Sequence, residues 1–112
     1  MIEQRNLLLV PFPFSDQSGR KVRPVVVVSN NDFNEYGEDI IVVAVTSKIT
    51  KEKYTVFLSP DDMEEGSLRH NCCIKVENIL KMDKKLIMKK IGKVKQTTFQ
   101  KAIVILDSII KE

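Results

Sequence analysis

The chain alternates between short apolar runs and polar connections for most of its length, and the period changes once, near the end. Residues 6–12, "NLLLVPF", form an apolar run that predicts a strand, and Pro11 and Pro13 restrict it to an edge or to its own end. "SDQSG" (15–19) is rich in turn formers and predicts a flexible loop. "RPVVVVS" (23–29) and "IIVVAVTS" (40–47) are apolar at consecutive positions, as strands buried on both faces are, and they belong at the centre of a sheet. Between them, "NNDFNEYGED" (30–39) predicts a turn-rich connection with one helical turn ended by Gly37. "YTVFLS" (54–59) reads as a half-exposed strand, "PDDMEEGS" (60–67) as a loop, and "LRHNCCIKV" (68–76) as a long, more polar strand. "ENILKMDKKL" (77–86) predicts a turn or short helix near the lysines, and Gly92 interrupts a short strand around "MKKIGKV".

From Gln96 the period becomes helical. Phe99, Ala102, Ile103, Leu106, Ile109 and Ile110 form one stripe, which predicts a helix over about 97–111 packed on the sheet. Thr97 with Gln100 three residues later has capping-box spacing. Four to six strands with short connections and one terminal helix make an α+β, mainly β, domain: a small curved antiparallel sheet or barrel with a C-terminal helix.

Length and composition narrow this further. The chain has 112 residues, enough for one domain with a real core, and residues 1–112 are expected to form that single domain. A hydrophobic fraction of 43% and a charged fraction of 29% are ordinary for a soluble globular protein. No apolar run has membrane-spanning length, and the N-terminal segment lacks a small-residue cleavage site, so no membrane partner and no signal peptide are expected. The net charge is only +3, but it is unevenly spread. Acids cluster at 32–39 and 61–65, while 81–95 carries seven lysines opposed by Asp83, a locally basic face that phosphates could use.

Several chemistries find no support. Cys72 and Cys73 are adjacent, which disfavours a disulfide between them and offers no CxxC pair; a reducing, cytoplasmic setting fits. His70 is the one histidine, with no nucleophile–base–acid set evident and no metal-ligand spacing; no metal or cofactor is expected. The densest early group of cations is "GRKVRP", where Arg20, Lys21 and Arg23 stand at the mouth of the valine strand. If strands 23–29 and 40–47 pair antiparallel, Arg23 at the start of one neighbours Thr46 and Ser47 at the end of the other. A guanidinium fork beside a hydroxyl is a reasonable phosphate receiver. On the residues alone the plainer reading, Arg23 in an ion pair with a loop acid and Thr46 as a strand-end residue, is the favoured one.

Three segments taken together decide more. "LLLVPFPFSDQSGRKVRPVVVVSNNDFN", "IIVVAVTSK" and "GSLRHNCCIKVENILKMDKKLIMKKIGKV" resemble, in order and over nearly the whole chain, the MazF/PemK toxins of type II toxin–antitoxin systems. The resemblance implies an SH3-like, CcdB/PemK-type small barrel with a C-terminal helix. It implies metal-independent endoribonucleolytic cleavage of single-stranded RNA, often mRNA, at short motifs, by 2′-OH attack giving 2′,3′-cyclic phosphate and 5′-OH ends. It also implies a homodimer and a cognate antitoxin, whose complex binds DNA. Residue by residue, it assigns catalysis to Arg23 and Thr46, and RNA contacts to Ser47, Arg20, Lys21, Ser15, Asp16, Asn30 and Lys85. Three places depart from the family pattern: Arg5-Asn6 stands where Gly-Asp is frequent, Asn71 or Cys72 where a Ser is common, and Lys85 where an Arg is usual. The other outcomes the sequence allows are a DNA gyrase-binding toxin of CcdB type, which would not need the Arg23–Thr46 pair, and an inactive interaction domain.

Overall fold

In a computed structural model describing residues 1–12 and 21–112, seven strands form one wholly antiparallel sheet. The strands are β1 (Asn6–Phe12), β2 (Lys21–Val27), β3 (Asp39–Thr46), β4 (Thr55–Leu58), β5 (Met63–Gly66), β6 (Cys72–Asp83) and β7 (Lys89–Val94), in the order β4-β6-β3-β2-β1-β7-β5. A six-residue helix, α1 (Asn31–Tyr36), links β2 to β3, and α2 (Gln96–Ile110) ends the fold. The two valine-rich strands are central, as their unbroken apolar runs require. Pro11 sits where β1 is paired with β2 opposite Val22, beyond the last β7 partner at Leu9, so its missing N–H costs no bond on the β7 side.

The sheet is apolar on both faces. One face carries Leu7, Val26, Val43, Val45, Leu58 and Ile74 beneath Phe99 and Ala102 of α2. The other carries Leu8, Val10, Val25, Val27, Ile40, Val42 and Met82. A bend in β6 joins them. Ala44 pairs with Lys75, but Val43 pairs with Ile79, so three residues of β6 are spanned by one step of β3. An odd insertion reverses the two-residue alternation. Ile74 and Val76 therefore face the helix side, while Leu80 and Met82 turn into the second core. The curl makes a half-barrel.

That bend corrects the sequence reading of 77–86. β6 continues to Asp83, and only Lys84–Leu86 form a turn of 3₁₀ helix. Residues 63–66, expected as loop, add an edge strand to β7. Gly92 does not break β7. It lets β5 approach, because a Cβ there would lie 2.1 Å from the Glu65 carbonyl oxygen, and Gly66 opposite has φ 77. The helix also starts differently. Its N-cap is Lys95 with no side-chain cap, and the predicted Thr97–Gln100 box is absent. Instead the Thr98 hydroxyl donates to Asp62 Oδ1 at 2.6 Å, and Asp62 Oδ2 accepts from the Ser59 backbone N–H at 2.7 Å. Tertiary contact replaces local capping. Of the helical stripe, Phe99 and Ala102 are buried and Ile103 and Leu106 pack on the core, whereas Ile109 and Ile110 are exposed. Both cysteines are buried and free, and burial pushes the Cys72 thiol up.

Arg5 explains one departure from the family pattern. Its φ is 79, in the left-handed region where glycine is strain-free. The arginine is held there by its side chain, with Nη1 donating to the Val94 carbonyl at 2.8 Å and to Glu64 Oε1 at 2.9 Å. Asn6 is buried, and its Oδ1 accepts from the Glu3 N–H at 2.7 Å. Arg5-Asn6 is thus a turn lock between β1, β5 and β7.

Candidate RNA-binding and catalytic face

The register fixes which side chains share a surface. Val25 pairs with Ala44, Ala44 with Lys75, and Lys75 with Thr55, so these four form one cross-sheet row. The next row on the same face contains Thr46, Cys73 and Phe57. Carrying the β2–β3 register two residues past Val25–Ala44 sets Arg23 opposite Thr46 and completes that row. Side chains alternate along a strand, so Arg23 and Lys21 stand on the same face as Val25. The apolar continuation of this face is the second core, and the polar rows are its rim.

Each member is held differently. Arg23 is half-buried and Lys21 exposed. Thr46 Oγ1 accepts from the Lys48 N–H at 3.1 Å, which folds the chain sharply after β3 and keeps the hydroxyl's own proton for donation. Cys73 is buried under the following segment, its thiol directed to the Thr50 carbonyl at 3.7 Å. Phe57 is 51% exposed on the edge strand, an aromatic face open to solvent. Lys75 is a diagonal neighbour of Thr46, a relation that typically separates residues by about 7–8 Å. Its Nζ is 2.6 Å from Glu52 Oε1 and 3.7 Å from Glu77 Oε2. The Lys75 hydrogen bond holds the Glu52 carboxyl below its ordinary range, and the same bond raises the Lys75 ammonium. Thr46, Lys48, Thr50, Glu52 and Lys75 line a cleft of about 190 Å³.

Of the residues singled out from the sequence, Arg23, Thr46 and Lys21 come together on this face, and exposed Ser47 follows Thr46 directly. Ser15, Asp16 and Arg20 lie outside the described residues. Lys85 is exposed on the 3₁₀ turn. It lies 3.9 Å from Glu38 Oε1 and lines a separate cleft with Pro11, Val22, Leu86, Ile87 and Met88. Val22 precedes Arg23 but points to the other side of β2. Asn30 is not at the site. It follows the opposite end of β2, where its Oδ1 accepts from the Phe33 N–H at 2.9 Å and caps α1. Lys75, Phe57 and Glu52 were missed. Periodicity marks them only as polar or edge positions, and their convergence appears once the β3–β6–β4 register is known.

The match to known proteins is now decisive for family. Residues 3–110 match the model of the PemK-like, MazF-like toxins of type II toxin–antitoxin systems. The chain belongs to that family. PemK-like proteins are RNA-cleaving enzymes. Among solved structures, the fold is shared with an endoribonuclease from a mycobacterial species in complex with its cognate antitoxin: 20% identity, TM-score 0.77, 96% of this chain and 93% of that one. It is shared also with MazF from Deinococcus radiodurans at 14% identity and TM-score 0.77, covering 99% and 97%. The Mycobacterium tuberculosis toxin MazF-mt6 is similar at 12% identity and TM-score 0.74, covering 93% and 94%.

Proposed function

We propose that this PemK/MazF-family toxin cleaves single-stranded RNA, mRNA included, at a short motif without a metal ion, by attack of a ribose 2′-OH on the adjacent phosphate. The bond from phosphorus to the 5′-oxygen of the next nucleotide breaks, leaving a 2′,3′-cyclic phosphate and a 5′-OH end. The observation that carries this reading is the antiparallel β2–β3 register, which, continued two residues past Val25–Ala44, sets Arg23 across from Thr46 at the polar rim of the sheet, beside a cleft lined by Lys48, Glu52 and Lys75.

The transition state gathers negative charge on the non-bridging phosphate oxygens. Arg23 supplies a guanidinium that stays protonated and presents paired donors to those oxygens. Its place on a central strand keeps that donor fork fixed while charge develops. The Thr46 O–H orients the phosphate or the 2′-OH, with Ser47 beside it. Phe57, in the same row, gives an unpaired base a face to stack on. Lys21 extends the positive surface along the backbone, with Arg20, Ser15 and Asp16 of the preceding segment and Lys85 as further RNA contacts. Solved structures of similar fold include the mycobacterial endoribonuclease in complex with its cognate antitoxin and the MazE–MazF complex of Deinococcus radiodurans. We infer a cognate antitoxin for this chain, and a homodimer as its active form.

The test is direct. Purified protein in EDTA should cut a mixed RNA pool and leave 5′-OH ends, and Arg23→Ala should abolish cutting while the protein stays folded. An intact pool after incubation with antitoxin-free wild type would sink the reading.

A further inference from the structure

The rim of the site contains an acid as well as cations, and its position is specific. Lys75 rises from the middle of β6, between Ala44 and Thr55, with its stem packed and its side chain 22% exposed. Glu52 comes from the segment joining β3 to β4, and its side chain is 59% exposed. Two hydroxyls shape that segment: Thr50 Oγ1 accepts from the Glu52 N–H at 3.2 Å, and Thr55 Oγ1 donates to the Glu52 carbonyl at 2.7 Å. The carboxylate is thereby carried over the ammonium, inside the cleft that Thr46 and Lys48 also line. An anionic oxygen 2.6 Å from Nζ is where a phosphate oxygen bound to Lys75 would sit.

We infer that Glu52 is a resident competitor for the substrate: in RNA-free protein its carboxylate occupies a phosphate position on Lys75, and the RNA backbone displaces it to make Lys75 a second phosphate-binding residue beside Arg23 and Thr46. This rests on the proposal that RNA crosses the Arg23–Thr46 row. Displacement is feasible because Glu52 is largely solvated, so the pair is screened and weak, and the released carboxylate returns to water. Lys75 does not leave with it, since its backbone is bonded to strands on both sides and its stem is packed. Glu77, at 3.7 Å, remains as a looser partner. Glu52 thus lowers affinity for any polyanion, and a correctly placed phosphate must outcompete it.

The test measures binding of a short, labelled, mixed-sequence 2′-O-methyl RNA, which lacks the attacking hydroxyl, to wild type, Glu52→Gln, Lys75→Met and the double variant over a range of salt. Glu52→Gln should bind about three- to tenfold tighter, with a salt slope steeper by up to about one counterion. Lys75→Met should bind about tenfold weaker with a shallower slope, and Lys75→Arg should restore both. In the double variant the gain from Glu52→Gln should vanish. Unchanged or weaker binding by Glu52→Gln overturns the inference, as does a gain that survives without Lys75, which is only a change in net charge. If Lys75→Met unfolds, Glu52→Gln is compared with Glu35→Gln, an equal charge change at an exposed position of α1: a gain at Glu52 alone supports the inference, and an equal gain at both overturns it. Wild type that cuts RNA through Arg23 but is indifferent at both Glu52 and Lys75 refutes this inference and leaves the nuclease standing. Wild type that neither binds the probe nor cuts RNA refutes both.

Discussion

The two ends of the β2–β3 pair are built from similar polar residues and behave in opposite ways. At the end where β2 leaves for α1, Ser29 and Asn34 are buried and fully engaged. The Ser29 hydroxyl donates to Asn34 Oδ1 and accepts from the Ile41 N–H at 2.9 Å, while Asn34 Nδ2 donates to the Ser29 carbonyl at 3.0 Å. Every donor there has an internal acceptor, so nothing remains for a ligand. At the other end, Arg23, Thr46 and Lys75 share one face, half-buried rather than enclosed, and the charges are concentrated. Buried, satisfied polar groups hold a fold in register. Groups at the half-exposed rim of a rigid strand, such as Lys75 with its Nζ on the solvated Glu52 carboxylate, keep contact with water that the enclosed Ser29–Asn34 pair has lost.

Mutation should separate the two ends. Arg23→Ala should lower cleavage by about 10²–10³-fold, the usual loss on removing a donor directed at transition-state charge, in protein that still folds. Asn34→Leu should do the reverse. It strands the Ser29 hydroxyl and carbonyl, and a cost of about 2–3 kcal/mol is expected in denaturant unfolding, with kcat of the folded fraction intact. Thr46→Val keeps the strand and its β-branching but removes the hydroxyl; a drop of about tenfold in kcat with little change in stability is expected. Activity untouched in Thr46→Val, or lost equally in Asn34→Leu, would erase the contrast.

A smaller test falls on Asp62, which holds α2 to the β4–β5 connection. Burial raises its carboxyl, but the bonds from Thr98 and Ser59 outweigh that, and its pKa is lowered overall. Because the folded pKa lies below the unfolded one, its contribution is present above the ordinary Asp value near pH 4 and is lost as pH falls through the depressed folded value. Asp62→Asn should therefore cost about 1 kcal/mol at neutral pH and flatten stability between pH 4 and lower values, read from unfolding curves at each pH. An unchanged acid limb would show that the Thr98 and Ser59 bonds do not favour the ionised form.

Much of this was legible in the chain. The unbroken apolar runs at 23–29 and 40–47 require burial on both sides, hence central strands, and short connections require antiparallel pairing. Together those two constraints bring Arg23 to Thr46 before any coordinates are known. Gly37 does end a helical turn, at Tyr36. The segment 77–86 misled because its lysines and Asn78 resemble a turn, while Leu80 and Met82 meet their apolar partners only through the bend in β6. Phe57 and Lys75 looked like edge and surface positions because nothing within a few residues of either shows what lies across the sheet.

The sequence by itself therefore determined the central strands, the terminal helix and the Arg23–Thr46 juxtaposition, because periodicity and strand direction are local properties that constrain pairing. Only the tertiary structure decided the three-residue shift in β6, the anchoring of α2 by Asp62 rather than by its own cap, and the placing of Glu52 on Lys75. Each of these depends on register between segments distant in the chain, where an odd shift moves a side chain to the opposite face.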